Sequence, residues 1–101
     1  MPFMVVATDK PNTAALRADV RPRHITYLEA NLTKLIAAGA KMSDDGATAI
    51  GSLYLIDTDD RAEAERFVAE DPFTKEGVFA EFVATRWRKA IFDHVSFIPK
   101  T

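Results

Sequence analysis

Three short segments carry the side chains best suited to chemistry: Arg21-Pro22-Arg23-His24, Asp71-Pro72-Phe73 and Gly77-Val78-Phe79. The first two join a group able to move protons or hold an anion to a proline, and the third follows with a glycine. Their polar side chains are therefore set at the ends of regular elements. His24 is the natural acid/base candidate, because imidazole changes charge near neutral pH. At about 100° per helical residue it falls at the margin of an apolar stripe, on a flank with Tyr27 and Asn31. A histidine placed there commonly does no more than bond a nearby carbonyl. Arg21 and Arg23 are candidates to hold a substrate anion, and Ser52, at a strand start, to donate a hydrogen bond. Surface solvation is the commoner fate of such arginines, and turn formation that of such a serine. Asp71, directly before Pro72, fits the N-cap of one short helical turn. It also follows the end of the preceding helix, where the dipole disfavours a carboxylate by ~0.3–1 kcal/mol. Capping occupies one carboxylate oxygen and leaves the other for a second partner.

His94 is the only other histidine, and the 101 residues include no cysteine. Two distant histidines give no reason to expect a metal, and with no nucleotide-binding motif no cofactor is expected either. Lack of cysteine also removes disulfides and thiolate nucleophiles. Met1, Met4 and Met42 read as packing residues, and Trp87 as an interface or core residue. Fifteen acidic and 13 basic side chains leave a net charge of −2, which offers little to nucleic acid phosphates or anionic lipid. Lys75 to Val83 has a loose likeness to an aromatic RNA-binding signature. Glu76 and Glu81 inside it oppose phosphate, and Val78 takes an aromatic position, so nucleic acid is not an expected partner. The apolar start, Met1 to Ala7, has no basic flank and is too short for a membrane span or signal segment. It reads as a buried strand of a cytoplasmic protein.

The elements that must position these residues follow in order. Phe3 to Thr8 is a continuous apolar run closed by Asp9-Lys10-Pro11-Asn12, the pattern of a central strand and a turn. A helical pattern opens at Thr13, with Leu16 and Val20 four apart, until Pro22 starts a new or kinked helix. Ile25, Leu28, Leu32, Leu35 and Ile36 then recur at helical spacing, with Gly39 as the C-cap. Asp44-Asp45-Gly46 marks a turn, and Ser52 to Thr58 a second buried strand. Asp60, with Glu63 three residues on, opens a helix running to Glu70, whose inner stripe is Ala64, Phe67 and Val68. It stops near Asp71, since a residue before proline is pushed out of the helical region. Phe79 to Ile91 reads as a last long strand, and Phe92 to Thr101 as an extended tail. The order strand, helix, strand, strand, helix, strand is the ferredoxin-like split β-α-β repeat, an α+β fold with both helices on one face of an antiparallel sheet. A single domain spanning 1–101 is expected, burying roughly 65% of its unfolded surface. Strands apolar in runs instead of alternating leave the second face needing a cover. The expectation is a homodimer packed sheet to sheet, with Trp87 and the Phe92 to Pro99 tail near the join.

The ordered set of motifs resembles the YciI-like (YCII-related) proteins over nearly the whole chain. The likeness is carried by the opening strand, Arg21-Pro22-Arg23-His24 with Tyr27-Leu28, Ala38-Gly39, Gly51-Ser52, Asp57 to Phe67, Asp71-Pro72-Phe73 and Gly77-Val78-Phe79. It implies a small dimeric ferredoxin-like protein, of the α/β-barrel type of assembly. It also implies that His24 and Asp71 form an active-site dyad. One related domain is a dehydrochlorinase acting on a chlorinated hydroxyhydroquinone, while most members have no assigned reaction. Ala40 stands where many relatives have proline, and Arg86-Trp87 where a proline-aromatic pair is common, which bears on the pocket wall near those segments. The function so implied is an enzyme of lyase, hydrolase or isomerase type, in which Asp71 fixes the tautomer of His24. The substrate would be a small hydroxylated or carbonyl-bearing molecule. The alternative is a non-catalytic module that binds a small ligand or a protein through the same pocket.

Overall fold

A computed structural model describes residues 1–100. Its elements are β1 (Phe3–Asp9), α1 (Ala14–Glu29), β2 (Leu35–Met42), β3 (Ala49–Ile56), α2 (Arg61–Ala69), α3 (Pro72–Lys75), β4 (Phe79–Arg86), β5 (Ile91–Phe92) and β6 (Val95–Ser96). β1 to β4 form an antiparallel sheet in the order β2-β3-β1-β4. This is the ferredoxin-like α+β arrangement. The core lies between one sheet face and the helices: Phe3, Val5, Tyr54 and Ile56 from the strands meet Val20, Phe67, Val68 and Phe73. Registers Val5↔Tyr54 and Phe3↔Ile56 place the four strand residues side by side. Each side chain of this size removed from water contributes about 1.5–3 kcal/mol.

Three sequence expectations are corrected. α1 runs unbroken through Pro22 for 16 residues, so the proline neither starts nor divides a helix. It removes the amide that would bond the Ala18 carbonyl, and because Ala18 and Pro22 are both exposed, water can take that donor's place. The helix then stops at Glu29, well short of Gly39. The Asn31 side chain bonds the Tyr27 carbonyl at 2.8 Å, and a 3-10 turn, Leu32–Lys34, leads into β2. Leu35-Ile36-Ala37-Ala38-Gly39 is a short apolar run compatible with helix or strand. Pairing with β3 decides between them, since Leu35 and Ala37 to Met42 each lie opposite a residue of that strand. Gly39 therefore lies opposite Leu53 inside a strand and caps nothing.

The third correction concerns the C-terminal end. β4 finishes at Arg86, and the following residues turn back into a hairpin, β5-β6, in place of a longer strand and an extended tail. Its two central residues, Asp93 (φ 50°) and His94 (φ 67°), both adopt the left-handed region, as a two-residue hairpin turn requires. The Phe97 amide bonds the Ala90 carbonyl at 2.7 Å, and the Lys89 ammonium lies 3.7 Å from the centre of the Phe97 ring.

Candidate functional site

Arg17, Val20 and His24 recur at i, i+3 and i+7 along α1 and are its buried residues. The inner stripe of this helix is therefore partly polar. Leu16, the expected apolar member, is 37% exposed. Opposite them the chain makes a tightly capped turn. Asp71 is the N-cap of α3, its Oδ1 accepting from the Phe73 amide at 2.8 Å, and Pro72 occupies the first helical position. At the other end Gly77 (φ 80°) takes the left-handed conformation. The Val78 amide bonds the Phe73 carbonyl and the Gly77 amide the Thr74 carbonyl, which is the Schellman closure. Proline, aspartate and glycine in this segment thus fix one carboxylate.

That carboxylate meets His24. Nδ1 of His24 lies 2.9 Å from Oδ1 and 2.8 Å from Oδ2 of Asp71, and the Tyr54 hydroxyl donates to Oδ2 at 2.7 Å. Asp71 is fully buried and the His24 side chain is 9% exposed. The phenol of Tyr54 is pushed far up by burial, and further by the charge and hydrogen bond of Asp71. It therefore stays protonated as a donor. Burial also raises Tyr27 to about 12, with Glu70 and Asp71 adding to the effect, and its hydroxyl donates to the Phe67 carbonyl at 2.6 Å. A carboxylate only accepts, so Nδ1 of His24 is the donor to it, and in the neutral ring Nε2 is then the acceptor. Nε2 has no protein partner among the described residues, yet no buried side-chain nitrogen or oxygen there is unpaired. It therefore keeps some exposure, and His24 lines a cleft of about 620 Å³.

The cleft runs between α1 and the edge strand β2, with Ala38, Gly39 and Ala40 along one wall and Ala14 and Ala18 along the other. Arg21 lines it and makes no ion pair among the described residues. Arg23 does not line it: it pairs at the surface with Glu76 at 3.3 Å. Two helical positions, about 200°, separate it from Arg21, which turns it off the cleft face. Ser52 is buried and likewise sits outside the lining, accepting a bond from Nη2 of Arg17 at 3.1 Å. There it supports Arg17. His94 is exposed at the hairpin turn, and the described residues bring no three His, Cys, Asp or Glu side chains into a cluster able to hold a metal.

Arg17, Asp9 and Tyr54 belong to the site and were not singled out from the sequence, and Phe73, read as part of the Asp71-Pro72-Phe73 segment, was given no role of its own. Nη1 of Arg17 lies 2.9 Å from both carboxylate oxygens of Asp9, and Nη2 bonds the Gly51 carbonyl at 3.0 Å. The Phe73 ring stacks on His24, centroids 3.9 Å apart and planes at 16°, while the guanidinium carbon of Arg17 sits 4.4 Å from the centre of the same ring. Both groups thus pack against the Phe73 ring. The available signal was the spacing of seven between Arg17 and His24, two turns apart on one helix face.

The model of the YCII-related domain family matches residues 1–88. The chain belongs to this family. It is similar to an uncharacterized protein of Haemophilus influenzae, at 27% identity over 96 residues, covering 88% of this chain and 98% of that protein. Among solved structures it resembles 5-chloro-2-hydroxyhydroquinone dehydrochlorinase from Burkholderia phenoliruptrix, in complex with 2,5-dihydroxybenzoquinone. That likeness has a TM-score of 0.79 at 30% identity and covers 87% of this chain and 94% of the other. The YCII-related domain accounts for all four strands of the main sheet and for every residue of the site described above. The β5-β6 hairpin lies beyond the matched residues.

Proposed function

We propose that this YCII-related protein is a small-molecule enzyme in which His24 is the general acid/base and Asp71 its orienting partner, acting on a hydroxylated or carbonyl-bearing ring. The observation that carries the reading is the buried His24–Asp71 pair, with His24 lining the cleft and its Nε2 free of protein partners among the described residues. Asp71, held by the Tyr54 hydroxyl and the Phe73 amide, fixes the ring tautomer and stabilises the imidazolium formed when Nε2 takes a proton. Elimination is the favoured reaction type, because the structural neighbour is a dehydrochlorinase and removal of HCl from a ring begins with such a proton transfer. Two copies packed through the open sheet face form the working assembly.

Turnover of chlorinated and hydroxylated hydroquinones, beginning with 5-chloro-2-hydroxyhydroquinone, tests this reading. His24→Gln and Asp71→Asn are each expected to lose about 10²–10⁴-fold in kcat/KM, the usual contribution of a positioned acid/base group. If no ring compound of this class is turned over while both variants still bind such compounds, the cleft serves recognition only.

A further inference from the structure

Arg17 combines features that its role in packing does not account for. Its side chain is 9% exposed, and its two terminal nitrogens are engaged by Asp9, the Gly51 carbonyl and Ser52. Nε–H has no partner among the described residues. Since no fully buried side-chain nitrogen or oxygen there lacks one, this group keeps some exposure, and the cleft is the opening that Arg17 lines. Asp9 neutralises the guanidinium, so Arg17 presents a fixed, oriented donor in place of a mobile cation. Arg21, four residues on and lining the same cleft, supplies the unpaired positive charge. Such pre-set donors act most strongly where negative charge develops during reaction.

We propose that Arg17 is the anion-stabilising residue of the cleft. Its Nε–H would donate to the oxygen that becomes negative as His24 takes a proton, and the substrate class is therefore a ring with a C–H next to a carbonyl. The inference rests on the acid/base reading of His24. Arg17 and His24 lie 4.4 Å and 3.9 Å from the centre of the Phe73 ring, so the two groups are at most roughly 8 Å apart. A C–H to nitrogen approach of about 3–3.5 Å, a carbon-to-carbonyl-oxygen separation of about 2.4 Å and an N–H···O bond of about 2.9 Å together bridge such a span.

In the step, Nε2 of His24 takes the proton. The C–H electron pair becomes the C=C bond of an enolate, and the carbonyl pair moves to oxygen, where Nε–H of Arg17 meets it. The enolate then collapses: C=O re-forms, the C=C pair shifts to the next carbon bond, and a leaving group departs with its bonding electrons. His24 releases its proton to water and the cycle needs no co-reactant.

Calorimetric binding of 2,5-dihydroxybenzoquinone, an acidic ring that carries anionic oxygen, against uncharged 2,5-dimethoxybenzoquinone tests the assignment. The wild-type chain is expected to prefer the acidic ring by about tenfold or more, as a hydrogen bond to a charged group implies. His24→Gln should keep that preference and folded Arg17→Gln should lose it. If Arg17→Gln does not fold, the Nε–H resonance of Arg17 in the wild-type protein takes its place, and it should move downfield on addition of the acidic ring. A preference that survives in folded Arg17→Gln, or a resonance that does not move, overturns the proposal. Turnover reports on His24 and anion preference on Arg17, so either can fail alone.

Discussion

At the scale of single residues, the site depends on donors that converge on one carboxylate. Tyr54 supplies one of the three groups that hold Asp71, at 2.7 Å and in full burial. Tyr54→Phe removes that donor with little change of shape. The expected cost is about 1–3 kcal/mol, because Oδ2 is left with the imidazole alone, and a lowered urea midpoint at unchanged slope would show it. Turnover should fall less than in Asp71→Asn, since the tautomer of His24 is retained. The two tyrosines also set an alkaline limit on the fold. Tyr27 rises from 10.0 to about 12, and Tyr54 is shifted in the same direction. Raised phenol values mean that the native chain holds its protons after the unfolded chain has lost them. Stability is thus complete below pH 10 and falls as pH climbs toward 12. Tyrosinate absorbance should appear together with loss of helical signal, and its appearance in the still-folded protein near pH 10 would contradict this burial argument.

At the scale of elements, legibility followed the locality of each signal. The turn built from Asp71, Pro72 and Gly77 was readable because capping is a matter of a few consecutive residues. α2 was readable for the same reason: Asp60 caps it through the Ala62 amide. Glu63 departs from the expected reciprocal bond, turning instead to Lys34 and Thr58. The β2 segment was misread, because its own residues are indifferent between helix and strand and its partner lies across the sheet. Arg17 was overlooked for a related reason, since Asp9, Gly51 and Phe73 come together only after the strands pair. Gly51 shows how tight that pairing is. A Cβ there would lie 2.2 Å from the Ala7 carbonyl oxygen and 2.4 Å from Cε of Lys41. Lysine can swing aside, but the central strand cannot. Gly51→Ala should therefore cost about 1–3 kcal/mol through overpacking and, by moving the carbonyl that holds Arg17, weaken binding of the acidic ring. Unchanged stability would show that β1 and β3 separate more easily than their register implies.

At the scale of the whole molecule, the unanswered demand is the second face of the sheet. The registers Met4↔Leu55, Val6↔Leu53 and Val6↔Val83 place five apolar side chains together on the side away from the helices, and Val83 is 57% exposed and Leu53 38%. The hairpin and the residues after it also expose the apolar side chains of Ile91, Val95, Phe97 and Ile98. A patch of this kind marks an interaction surface, and a specific interface takes roughly 800 Å² from each partner. A second copy is the simplest occupant because its own sheet has the same requirement, and a two-fold pairing satisfies both at once. Sedimentation at micromolar concentration is expected to give a dimer, and Val83→Glu, which sets a charge in the middle of the patch with no partner, to give a folded monomer. A wild-type monomer at that concentration would remove the pairing. Val83 lies on β4 and the cleft between α1 and β2, on the opposite face of the sheet, so a monomeric Val83→Glu protein also separates assembly from chemistry. If it keeps its affinity for the acidic ring, Arg17 and His24 act within one chain.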